Sequence, residues 1–193
     1  MLVNLSVGTI VGVAVGVSGT GVGFSLVVDG ALTEKSPLNH LAGHILIRDG
    51  AQTCYCGLSG CLESLVSAQA LVESFHALLA EKQDTRPEPA ADAQAVFAAA
   101  GAGHPTAALA VHNLVRDLTL GLNVYIHLFA PETIILGGGM AKALTPHLPQ
   151  IRAELFALPY TGYEVRLTIS QLGEKAGVFG AAALCHRIGE RIC

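Results

Sequence analysis

From Val11 to Ser18 the chain reads VGVAVGVS, valine alternating with a small residue. A period of two predicts a strand, and small residues on its second face predict close packing there. Strands are expected over Ile10–Ser18, Gly23–Val28 and Ile45–Arg48, with Asp29-Gly30 turning the chain out of the second. Apolar residues then recur at helical spacing in SLVSAQALVESFHALLAEK, residues 64–82. The polar, proline-bearing stretch Gln83–Gln94 predicts a surface loop. Two more helices follow, the second starting at Pro105 and running to about Phe129, where Pro131-Glu132 stops it. TIILGGG, residues 133–139, predicts a buried strand ending in a glycine turn, with a helix from about Met140. VRLTIS, 165–170, is the last expected strand. KAGVFGAAALCHRIGERI, 175–192, is the last helix, its small residues allowing close approach to a sheet.

This order predicts an α/β fold with a mixed five-stranded sheet and helices on both faces. Strands joined by short turns pair antiparallel, and strands separated by helices join in parallel. No linker divides the chain, so residues 1–193 are expected to form one domain. The composition, 51% hydrophobic and 13% charged, supplies a packed core. A net charge of −4 and the lack of any Lys/Arg run give nucleic acid no electrostatic footprint on this chain.

Met1–Val28 carries no charge, which raises the question of a membrane span or signal. It has no basic n-region, and glycine recurs at positions 8, 12, 16, 19, 21 and 23. A buried hairpin is the expectation, with no membrane segment and a cytoplasmic location. In a reducing compartment clustered cysteines point to metal ligation more than to disulfides.

One such cluster stands out. GHILIRDGAQTCYCGLSGC, Gly43–Cys61, holds one histidine and three of the five cysteines. His44, Cys54, Cys56 and Cys61 make a complete tetrahedral zinc shell with no position open for water, so the zinc would be structural. Gly57 and Gly60 let the loop fold back to bring Cys61 to the other two thiols. Three reduced thiols in an ordinary loop, or a Cys54–Cys61 disulfide, are the alternatives. Cys185 and Cys193 are expected to be plain thiols.

The spacing G-H-x9-C-x-C-G-x-x-G-C-x-E, Gly43 to Glu63, resembles the zinc-site motif of the ROK family of sugar kinases and sugar-responsive repressors. SGTGVGFSLVVDG resembles that family's second phosphate loop, APETIILGGGMAKAL its nucleotide-side strand and turn, and KAGVFGAAAL its closing helix. The resemblance covers essentially the whole chain. It implies an actin-like ATPase (RNase-H-like) fold, with this chain as the larger C-terminal domain, its zinc loop at 44–61, and the N-terminal small domain absent.

For single positions the resemblance implies that Gly19, Thr20 and Gly21 present backbone N–H groups and a hydroxyl to a phosphate, where a Cβ would hold the anion off. Gly137, Gly138 and Gly139 would line the adenosine pocket; read alone, they make a tight strand-to-helix turn. His44, through the ring nitrogen left free by the metal, and Glu63 would bind sugar hydroxyls. Read alone, Glu63 is an acid stabilised at a helix N-terminus. Partners implied are a small-molecule sugar, ATP with Mg, and a second copy in a homodimer.

Two positions depart from the family pattern. Leu41 stands where a further sugar-binding Glu is usual. Asp29, already past Thr20, is the first acidic residue, so the carboxylate base that phosphoryl transfer requires, and the first phosphate loop, are missing from this chain. The expectation is a ROK-type sugar kinase domain for transfer from ATP to a hexose or N-acylhexosamine, not active alone. The sugar-sensing effector domain of a repressor, and a catalytically dead zinc-stabilised dimerisation scaffold, are the alternatives.

Overall fold

A computed structural model describes residues 11–17, 21–32, 41–49, 52–82, 92–157, 162–176 and 178–183. Five strands form one sheet in the order β3-β2-β1-β4-β5: β1 Val11–Val17, β2 Val22–Val28, β3 Ala31–Leu32, β4 Thr133–Gly137 and β5 Arg166–Ile169. β2 pairs antiparallel to β1, with Val15 opposite Phe24, and β3 antiparallel to β2. β4 and β5 add in parallel, placing Leu136 beside Val15 and Ile169 beside Leu136. The expected mixed sheet is thus present. Asp29 and Gly30 both take positive φ (50° and 75°), the primed hairpin turn that suits the sheet's twist.

The alternation in β1 sorts its faces. Val13, Val15 and Val17 are buried with Phe24, Ile134 and Leu136 in the core against the helices. On the opposite face Gly12, Ala14 and Gly16 are half-buried and Ile135 is 39% exposed. Helical residues between Leu62 and Ile151 complete the core on the valine face.

The helices are α1 Leu62–Val66, α2 Ala68–Glu81, α3 Ala93–Gly101, α4 Pro105–Phe129 and α5 Leu148–Glu154. Their starts follow capping chemistry: Ser67 accepts from Ala70 N at 3.2 Å, Asp92 from Ala95 N at 2.7 Å, and Pro105 opens α4. α4 ends at Ala130, which is left-handed (φ 42°), just before Pro131. This central helix buries Val111, Leu114, Leu118, Leu122 and Tyr125.

Several expectations are corrected. Ile45–Arg48 is not a sheet strand; the third strand is Ala31–Leu32, immediately after the turn. The apolar alternation there is real, but Leu46 bridges Cys61 and Ile47 N donates to Gly60 O at 2.9 Å, so the segment pairs with the cysteine loop. The helix expected over 64–82 is two helices, broken at Ser67, whose extended backbone (ψ 162°) caps the second. The stretch after Met140 runs as a 3-10 turn, Ala141–His147, because Pro146 supplies no N–H; α5 starts after it. Of the expected last helix, residues 178–183 are helical, while 184–192 lie outside the described residues, as do Cys185 and Cys193.

Candidate functional site

Three structural supports bring the site together. The first is the 3-10 turn Ala42–His44. The Tyr125 hydroxyl on α4 donates to Ala42 O at 2.8 Å, and Gly43 lies so close to β2 that a Cβ there would stand 2.6 Å from Val22 O. His44 is therefore pinned between the central helix and the sheet edge.

The second is the cysteine loop. Cys54 N donates to Leu58 O at 2.7 Å, Gly57 N to Cys54 O at 2.9 Å and Gly60 N to Gln52 O at 3.1 Å, closing a tight hairpin. The chain then crosses Arg48 at Gly60 (φ +87°), where a Cβ would lie 1.6 Å from Arg48 O. Arg48 is itself tied to the buried Asp117 of α4 at 2.9 Å. One donor atom from each of His44, Cys54, Cys56 and Cys61 falls within 4.8 Å of the others. Cys54 Sγ is 3.4 Å from His44 Nδ1, and Cys56 Sγ is 3.5 Å from Cys61 Sγ. Tetrahedral bonds of about 2.0–2.3 Å place neighbouring donors roughly 3.5–3.8 Å apart, so this Cys₃His set fits a metal ion. The three cysteines are free thiols. Burial pushes the Cys61 thiol up to about 12, whereas hydrogen bonding to the Leu58 backbone lowers Cys56. A buried thiolate at Cys61 thus needs a cation beside it.

The third support is α1. Leu62 packs into the notch left by Gly121 of α4, where a Cβ would meet its methyl groups at 2.7 Å. That fixes the next residue, Glu63, which is only 7% exposed. Its Oε2 accepts from Val22 N at 2.9 Å, and its Oε1 is buried with no hydrogen-bond partner among the described residues. A Cβ at Gly21 would lie 2.9 Å from Glu63 Oε2, so a larger residue there would have to shift that carboxylate.

Glu63 and Gly21 face a cavity of about 720 Å³, walled also by Tyr55, Ser67, Gln69 and Glu73. His44 is not on that wall; its outward Nε2 lies 3.0 Å from the Tyr55 hydroxyl, and Tyr55 is on the wall. The Glu63 charge holds the Tyr55 phenol above its ordinary range. Glu73 accepts from both Gln52 and Gln69, a polar cluster that reading the chain for motifs missed. The one signal for it was the i,i+4 spacing of Gln69 and Glu73 on α2.

A second cavity, of about 430 Å³, opens beyond the C-terminal ends of β4 and β5, lined by Phe97, Gly138, Gly139, Lys142, Gln171 and Lys175. Gly138 (φ +85°) packs on the end of β1, a Cβ there falling 2.3 Å from Val17 O. A Cβ at Gly139 would meet nothing within 4 Å, and one at Gly137 only Ser170. The two glycine readings therefore divide: Gly138 is the tight turn, and Gly139 faces open space. The chain leaves β1 at Val17 beside this cavity and returns at Gly21 beside the other. Gly19 and Thr20, the expected phosphate contacts, lie outside the described residues. Leu41 is 54% exposed. Among the described residues no helix is long and apolar enough to cross a membrane.

Comparison with known proteins gives a consistent picture. The model of the ROK family matches residues 4–188. A glucokinase of Thermotoga maritima is 33% identical over 182 residues, 89% of this chain and 57% of the relative. An N-acetylmannosamine kinase of Salmonella arizonae is 31% identical, covering 86% of this chain and 54% of the relative. The chain thus spans a little over half the length of these curated relatives. Among solved structures, a ROK family glucokinase from Streptomyces griseus in complex with glucose and AMPPNP superposes with a TM-score of 0.78 at 26% identity, over 92% of this chain and 61% of that one. A ROK family transcriptional regulator, a homologue of the E. coli MLC protein, superposes at 0.67 with 28% identity, over 82% of this chain and 41% of that one.

Proposed function

Because this chain belongs to the ROK family, we propose that it is the sugar- and nucleotide-binding domain of an ATP-dependent sugar kinase acting on a hexose or N-acylhexosamine. The observation that carries the reading is the Glu63 carboxylate, buried against the 720 Å³ cavity with Oε1 unpartnered among the described residues. A buried acceptor left open is costly unless a ligand donates to it. A sugar hydroxyl is such a donor, and in this reading the metal-held His44 offers the complementary N–H from its other ring nitrogen.

In this reading His44, Cys54, Cys56 and Cys61 hold a structural zinc, which when bound fixes the loop and keeps the His44 proton on Nε2. Glu63 accepts from the sugar and thereby orients its reacting hydroxyl. Gly21, with Gly19 and Thr20 before it, offers backbone N–H groups to the transferred phosphate, and Gly139 leaves room for the adenosine of Mg-ATP. Phosphoryl transfer depends on such positioning together with a base near the acceptor. No residue of this chain is assigned as that base. Asp29 is the first acidic residue in the chain and lies beyond the phosphate loop, so turnover is expected only where another segment or chain contributes a carboxylate.

The similarity to the ROK regulator favours a second reading, a sugar-sensing effector domain. Calorimetry on the metal-loaded 193-residue chain separates the two. Binding of glucose or N-acetylmannosamine together with an ATP analogue supports the kinase domain, and sugar binding without nucleotide supports the sensor. Binding of neither overturns both and leaves a scaffold.

A further inference from the structure

We propose that Tyr55 is a built-in competitor at the sugar site: its phenol occupies the place of a sugar hydroxyl on His44, and a sugar gains that contact only by displacing it. The inference rests on the sugar reading of His44 and Glu63. His44 Nδ1 is turned to Cys54 Sγ at 3.4 Å, so a metal held on Nδ1 leaves the ring proton to Nε2, the nitrogen that meets a ligand. That nitrogen is already engaged, 3.0 Å from the Tyr55 hydroxyl, with the two rings edge to face at 5.1 Å and 84°. Tyr55 lines the cavity that Glu63 faces, and His44 does not, so the phenol stands between the histidine and the cavity.

The contact is built to open. Tyr55 is 82% exposed, so little buried apolar surface holds the ring in place. Its backbone lies between Cys54 and Cys56, two of the four metal-ligating positions, so that the side chain swings by rotamer change while the loop stays put. Its presence therefore lowers affinity by about the worth of one hydrogen bond, roughly two- to tenfold.

The test compares wild type, Tyr55→Phe and Tyr55→Ala, each checked for one equivalent of zinc. Two measurements are made: calorimetric titration with glucose and with N-acetylmannosamine, and ¹⁵N-resolved NMR of the His44 imidazole without sugar. Both variants are expected to bind sugar about fivefold more tightly than wild type. The Nε2–H signal should be protected from exchange in wild type and exposed in both variants. Equal or weaker sugar binding by both variants, or an Nε2–H signal that Tyr55→Phe leaves unchanged, overturns the competitor role while the sugar reading stands. Absence of sugar binding in all three proteins overturns the sugar reading, and with it this one, whatever the imidazole signal shows.

Discussion

Gly57 and Gly60 sit in the same loop with nearly the same backbone, φ +89° and +87°, yet their surroundings differ completely. Replacing either with alanine forces an L-residue into the left-handed region, at about 1–2 kcal/mol. At Gly57 the new Cβ would meet nothing within 4 Å, so that is the whole cost. At Gly60 the new Cβ would fall 1.6 Å from Arg48 O and 2.8 Å from its carbonyl carbon. No side-chain rotation relieves an overlap of backbone with backbone; the two strands of the loop must part. Parting them breaks the Ile47 N–Gly60 O and Gly60 N–Gln52 O bonds and carries Cys61 away from Cys54 and Cys56. Two hydrogen bonds add about 2 kcal/mol, before any loss of metal. With about 2–4 °C per kcal/mol for a chain of this size, Gly57→Ala should lower the melting temperature by roughly 2–8 °C and keep the metal. Gly60→Ala should lower it by roughly 10 °C or more and bind substoichiometric zinc. Elemental analysis of chelator-free protein and calorimetric melting read both effects. If the two variants melt together and both retain the metal, the crossing at Arg48 does not close the site, and the account of the loop is wrong.

Other variants separate site from scaffold. Gly21→Ala should push the Glu63 carboxylate, 2.9 Å away, off its bond to Val22 N, weakening glucose binding about tenfold in calorimetry; unchanged affinity would remove Gly21 from the account. Gly138→Ala, aimed 2.3 Å from Val17 O at φ +85°, should destabilise the chain, while Gly139→Val, which has nothing within 4 Å of its Cβ, should melt like wild type but lose affinity for an ATP analogue. The reverse pattern would move the nucleotide site elsewhere. Burial raises the Asp117 pKa despite Arg48 and Arg116, so the folded state holds that proton more readily than the unfolded one, and stability from this group is lost as pH rises through the folded value. The melting temperature of Asp117→Asn relative to wild type should therefore increase from about pH 4 to about pH 7; a decrease over that interval refutes the net desolvation.

Much of this was legible in the chain because several signals there are local. Valine alternation marked β1, Pro105 and Pro131 bracketed α4, and three cysteines with two glycines announced the ligand cluster, while the close packing expected on the small-residue face fell instead to the valines. What failed was long-range pairing. HILIR has the alternation of a sheet strand, and nothing in its own residues says that its partner is the returning end of a loop, Gly60–Cys61, rather than β2. The break at Ser67 was missed because apolar periodicity continues across it, while the cap depends on one serine hydroxyl. The contact of Tyr55 with His44 leaves no sign in the chain, since it exists only once the loop has closed. The motif gives Gly21 to phosphate, and its nearness to Glu63, 42 residues away in sequence, has no local trace.

Residues 60–63 show how tightly the two halves of the site are bound to one another. Gly60 allows the crossing at Arg48, Cys61 adds its thiol to the His44, Cys54 and Cys56 cluster and bridges Leu46, Leu62 fills the Gly121 notch, and Glu63 presents its carboxylate to the cavity. A five-residue helix such as α1 has almost no stability of its own, because helix nucleation is unfavourable over so short a length. Its position is therefore set by what holds its first turn: the Cys₃His cluster on one side, α4 beneath, and Val22 N at the head of β2. Loosening any one of these displaces Glu63. Metal occupancy, core packing and the placement of the hydroxyl acceptor are thus one coupled property of this loop, and a ligand that engages Glu63 should in turn tighten the hold on the metal.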